Sequence, residues 1–192
     1  MFDTIDESNS GRDAATGQLN GKPQAVRREL FLDLEDTLVT PIVNGWGNFE
    51  IINLDKIKRV LTAFEPHTVN VFSFAIWDQH QRNLFNTHCR PHLEKMLGMQ
   101  FNLVLTVDDD ITPICCKEMG MSIQSVDFQE MSSFWGKQGA FRLCMRHHAV
   151  NHRRNSPSLP LHVLLLDDVV FNERLVWPDI QTTVEQRNID QL

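Results

Sequence analysis

Apolar positions along the chain fall into two periods, one of strands and one of helices. In the stretch that begins at Glu29, the short apolar run Leu30-Phe31-Leu32 delivers Asp33, then Glu35, Asp36 and Thr37, to one point. Residues 69–76 and 101–107 read as a second and a third strand. Residues 161–166 are almost wholly apolar and end in Asp167-Asp168, as expected for a central parallel strand covered on both faces. A short last strand is predicted over 182–189. Between these runs Leu54, Ile57, Leu61 and Phe64 recur at helical spacing, with Asn53 as N-cap and Pro66 just beyond the end. Residues 78–99 read as helical with a break near Pro91, and Thr112-Pro113 starts a short helix that stops at Gly120. A longer helix is predicted over 134–148, capped by Ser132 or Ser133. Strands alternating with helices predict an α/β fold: a Rossmann-like, doubly wound, mainly parallel sheet with helices on both faces.

Residues 1–27 break this pattern. They are rich in Gly, Ser, Asn, Asp and Gln and have almost no apolar periodicity, so burial cannot offset the entropy of ordering them. The expected organisation is a flexible tail over 1–27, a candidate docking arm for a protein partner, and one domain over 28–192. Within that domain, Asn44-Gly45-Trp46-Gly47-Asn48 lies between β-prone residues and predicts a hairpin or flap, too short to be a separate cap domain.

Composition narrows the class. A chain of 192 residues with 42% hydrophobic content and 12 Phe suits one sizeable core. A net charge of −7 argues against a general nucleic-acid binder, which needs a basic face. Cys89, Cys115, Cys116 and Cys144 show no paired metal-knuckle spacing, and no signal-peptide pattern precedes them. Reduced thiols and a cytoplasmic location are therefore expected. No apolar run approaches the roughly 20 residues needed to cross a bilayer, so no membrane association is expected.

The stretch from Glu29 to Leu38 resembles motif I of the haloacid dehalogenase-like (HAD) superfamily, an apolar strand followed by Asp-x-Asp-x-Thr, with Glu35 in place of the second Asp. Ser73, Lys137 and the Asp167-Asp168 pair follow in the order and settings of motifs II, III and IV, so the resemblance runs from about Glu29 to the C-terminus. It implies that Asp33 attacks phosphorus to form an aspartyl-phosphate and that Glu35 serves as the acid/base. It also implies that Ser73 and Lys137 hold the phosphoryl group and its charge. Magnesium would be held by Asp33, Asp167, Asp168 and the backbone carbonyl of Glu35. The short segments between motifs resemble the capless, phosphatase-like branch, whose open site admits a large phosphorylated substrate: a protein, a nucleotide or a nucleic-acid end. The alternative is a weak or inactive HAD-like domain serving as a binding or regulatory module.

Each transferred residue also has a physical reason to be there. Several acids at one crevice repel one another unless a hard divalent cation and a cationic side chain neutralise them, and oxygen ligands of this kind suit Mg²⁺. Lys137 lies in the first turn of its helix, where the macrodipole disfavours a cation, so something must compensate. It shares a face with Phe141, Cys144 and Met145 that points at the sheet. Lys117 is the competing lysine. The Ser73 hydroxyl can donate to a phosphoryl oxygen, and Trp77-Asp78 would line the mouth of the site. His147, His148 and His152 sit among Arg146, Arg153 and Arg154 at a helix end and are expected to form a basic patch for an anionic substrate or partner rather than a zinc site.

Overall fold

The computed structural model describes residues 25–42, 46–123 and 128–192, with side chains in the last stretch described from residue 136 onward. Six strands, β1 (Arg27–Leu32), β2 (Thr68–Phe72), β3 (Phe101–Leu105), β4 (Leu161–Asp167), β5 (Glu173–Trp177) and β6 (Thr182–Asn188), form one sheet in the order β3-β2-β1-β4-β6-β5. All pair in parallel except β5, which runs antiparallel to β6. Among the described residues this is a mostly parallel α/β arrangement consistent with a Rossmann-like fold.

Central parallel strands bury both faces, which explains the apolar runs over 30–32 in β1 and 163–166 in β4. Leu30, Leu32, Leu164 and Leu166 pack into one core with Ile57 and Val60 of α1 (Leu54–Phe64) and Leu93 and Leu97 of α3 (Arg90–Leu97). Phe31, Val163 and Leu165 point the other way, against Cys115 of α4 (Thr112–Met119) and Phe141, Cys144 and Met145 of α5 (Phe128–Asn155). The period-2 alternation of the strands thus produces three layers.

Several local expectations are corrected. Asn53 stands at the start of α1 in a left-handed conformation (φ 52°) and makes no side-chain cap. Its Nδ2 instead donates to the carbonyls of Asp36 (3.4 Å) and Thr37 (3.1 Å), holding the turn after β1. The break near Pro91 is a π turn, Phe85–Cys89, between α2 (Gln79–Leu84) and α3. A proline cannot donate to the preceding turn, so the wider turn falls just before it. β2 ends at Phe72 rather than 76, where its register with Leu105 of β3 runs out. β5 was not anticipated: Glu173 and Arg174 interrupt its apolar pattern, as an edge strand tolerates.

The helix predicted from residue 134 is part of α5, which already runs at Phe128 and breaks at Gly136 (φ 56°, ψ 172°), so that a new helical segment starts at Lys137. The expected caps Ser132 and Ser133 have side chains outside the described ones. Residues 1–24 of the expected tail also lie outside the described residues, while Arg27 already opens β1.

The expected hairpin is seen at its base, where Thr40 N donates to Glu50 O (2.9 Å) and Ile52 N to Leu38 O (2.8 Å). Residues 43–45, including Asn44-Gly45, lie outside the described residues. Trp46 is buried, its Nε1 donating to Gln81 Oε1 (3.0 Å) and its ring meeting Phe85 edge-on at 5.2 Å. No helix of the described residues is long and apolar enough to cross a membrane.

Candidate functional site

The sheet has one topological switch. From β1 the chain moves outward through β2 to β3 and then returns to place β4 on the other side of β1. In open α/β sheets the crevice for ligands lies at the carboxyl ends of the strands where this reversal occurs. Leu32 pairs with Leu166, and Asp33 N donates to Leu166 O at 3.0 Å, so Asp33 and Asp167 stand side by side. Alternation along β1 and β4 turns both toward α5, on the face of Phe31 and Leu165. Carboxylate oxygens of Asp33, Asp167 and Asp168 lie within 4.8 Å of one another.

Across β1, Glu29 meets His148 of α5, Phe31 meets Phe141, and Asp33 meets Lys137. The last contact places Lys137 Nζ 2.6 Å from Asp33 Oδ2 and 2.9 Å from Asp167 Oδ2. These two carboxylates compensate the cation at the helix start. Burial works against the ammonium, but Asp33 and Asp167 outweigh it and hold its pKa above the ordinary lysine value. Burial, reinforced by the charge of Asp167, raises the Asp33 carboxyl against the opposing pull of Lys137. Burial and Asp167 likewise raise Asp168. Lys117, the competing lysine, is exposed on α4 and does not line this site.

A pocket of about 180 Å³ opens here, lined by Asp33, Glu35, Ser73, Phe74, Lys137 and Asp168 among others. Ser73 is buried just past β2, its Oγ accepting from Ala75 N at 3.2 Å. Thr37 Oγ1 donates to Asp168 Oδ1 at 3.4 Å. Glu35 lies outside the acidic trio: its Oε1 accepts from Ile42 N at 2.8 Å, tying the carboxylate to the base of the hairpin.

Three carboxylates face one ammonium, and Asp33 Oδ1 is buried with no hydrogen-bond partner. The surplus of negative charge, carried by hard oxygen donors with an unsatisfied atom among them, fits a divalent cation held by Asp33, Asp167 and Asp168.

Asn53, Gln138 and Asn188 support the site, and sequence spacing did not point to these roles. Asn188 Nδ2 donates to Asp168 O (2.6 Å) and Val170 O (3.1 Å). Gln138 pairs with both backbone groups of Phe171, each at 3.3 Å. Of the expected basic patch on α5, Arg154 is exposed, and the other members also pair within the fold. His147 meets Glu118, His148 meets Glu29, His152 meets Leu159 O, Arg146 meets Asp179 and Arg153 meets Gln181. These partners come from neighbouring elements that the helical pattern alone does not show.

Compared with protein-family models, with curated proteins and with solved structures, the chain matches none.

Proposed function

We propose that this chain is a HAD-like, magnesium-dependent phosphohydrolase that cleaves a phosphomonoester through an aspartyl-phosphate on Asp33. One observation carries the reading: at the switch point of the sheet, Lys137 pairs with Asp33 Oδ2 while Asp33 Oδ1 has no hydrogen-bond partner, beside Asp167 and Asp168.

Bound magnesium would neutralise charge on the phosphoryl oxygens and would be held by Asp33, Asp167, Asp168 and the Glu35 carbonyl. Asp33 attacks phosphorus, the bond from phosphorus to the leaving oxygen breaks, and Glu35 supplies the proton that oxygen needs. In the second step water attacks phosphorus, the bond to Asp33 breaks and regenerates its carboxylate, and Glu35 takes the proton. Ser73 and Lys137 donate to the phosphoryl group, with Lys137 stabilising charge as it is transferred. The packed hairpin, short for a cap, suits an open site that admits a phosphorylated protein, nucleotide or nucleic-acid end.

Magnesium-dependent hydrolysis of a generic phosphate ester, with an acyl-phosphate trapped by hydroxylamine, tests this reading. Asp33→Asn should abolish both while the circular dichroism spectrum stays native. A protein that binds magnesium but forms no acyl-phosphate and turns over no ester would be a binding or regulatory module. The tie between Glu35 and Ile42 N favours that second reading, because it engages the acid/base carboxylate elsewhere.

A further inference from the structure

β2 and β4 flank β1, so the loops leaving their carboxyl ends stand on opposite sides of Asp33. Both loops carry apolar side chains at the site. Phe74 and Val169 line the pocket, and Trp77, Val169 and Phe171 are 41%, 62% and 78% exposed. The second loop is held firmly. Asp167 Oδ1 accepts from Val169 N at 2.8 Å, Asn188 holds the carbonyls of Asp168 and Val170, and Gln138 holds both backbone groups of Phe171. With its backbone held, Phe171, two residues beyond the pocket-lining Val169, leaves apolar surface in water, which an apolar ligand group would cover.

The charges around the pocket limit what that ligand can be. Lys137 is the cation among the described lining residues and already faces two carboxylates. Arg142, five residues further along α5, is held by two contacts of 2.6 Å to Glu173. The described lining therefore suits one phosphoryl group and leaves no further cation for a polyphosphate chain. We propose that the two apolar lips select a phosphomonoester whose leaving group is an aryl ring, seated between Phe74 on one side and Val169 and Phe171 on the other. The inference rests on the phosphohydrolase reading and names its substrate class. A ring bonded directly to the ester oxygen reaches the lips while its phosphate occupies the pocket, and aromatic neighbours favour edge-to-face contact with it.

Phosphonates test this without turnover, because their carbon–phosphorus bond is not cleaved. Calorimetry on the full chain with Mg²⁺ should show benzylphosphonate, whose methylene stands in for the ester oxygen, binding about tenfold more tightly than methylphosphonate. In Phe171→Ala that ratio should fall toward one, and Val169→Asn should act in the same direction. Equal binding of the two phosphonates by the wild-type protein would overturn the aryl assignment while leaving the anion site standing. Binding of neither, together with no acyl-phosphate, would overturn the phosphohydrolase reading and this inference with it. A peptide carrying phosphonomethylphenylalanine, compared with benzylphosphonate, tells a ring borne on a protein from a free one, and tighter binding of either than of methylphosphonate supports the proposal.

Discussion

Glu29 and His148 face each other at 2.9 Å, at the opposite end of the β1–α5 contact from Asp33 and Lys137. Burial pushes the Glu29 carboxyl up, but the hydrogen bond and charge of His148, helped by Arg27, overcome it and bring its pKa from 4.5 to about 2. Between those values the unfolded chain binds more protons than the folded one. The stabilisation is therefore complete above pH 4.5 and is lost as pH falls toward about 2. Glu29→Gln should cost on the order of 2 kcal/mol near neutral pH. Denaturant unfolding should show the gap to wild type closing as acid is added through that window; a gap independent of pH would remove Glu29 as its source.

Lys137 separates two buried carboxylates, so its removal leaves an uncompensated charge pair. Lys137→Met in metal-free buffer should destabilise the fold by about 3 kcal/mol. Adding Asp33→Asn to that variant should recover more than half of the loss, since the neutral amide no longer repels Asp167. A double-mutant cycle measures this coupling. Strict additivity would show that Lys137 does not act through Asp33.

Gly136 sets where the lysine-bearing segment begins. Its backbone (φ 56°, ψ 172°) is in a region that other residues rarely adopt, while a Cβ there would meet nothing within 4 Å. The cost of Gly136→Ala therefore comes from the backbone, about 1–3 kcal/mol, and should move Lys137. Gly120→Ala, at the end of α4 (φ 67°), should cost about 1 kcal/mol and leave the site in place. Thermal melts and phosphate-ester turnover should separate the two: equal turnover in both variants would mean that Gly136 does not position the lysine.

The parts of this arrangement that were legible in the sequence are those governed by local periodicity. β1 and β4 are buried on both faces, so their apolar runs and terminal acids stand out, and register then brings Asp33 beside Asp167. Lys137 was legible through Phe141, Cys144 and Met145, which share its helix face. Gln138 and Asn188 were not, because they act on backbone groups of another segment: Phe171 is 33 residues from Gln138. The strand β5 was hidden for a related reason. Its Glu173 serves Arg142 and Gln186 from neighbouring elements, so a tertiary contact accounts for a charge that breaks the local pattern.

Glu35→Asp sets stability against chemistry at one residue. The glutamate reaches Ile42 N, and an aspartate, shorter by more than about 1 Å, loses that contact. The base of the hairpin then has an unpaired amide, and the fold should lose about 1 kcal/mol. The same substitution frees the carboxylate from the hairpin and gives the Asp-x-Asp-x-Thr spacing of the motif that this stretch resembles. If that carboxylate is the acid/base group, turnover should rise, by up to about 10²-fold. The two effects are read independently, one by denaturant unfolding and the other by ester hydrolysis. A variant that loses stability without gaining turnover would show that Glu35 serves the hairpin alone, and the binding-module reading would then account better for a site in which Asp33, Lys137, Asp167 and Asp168 lie together.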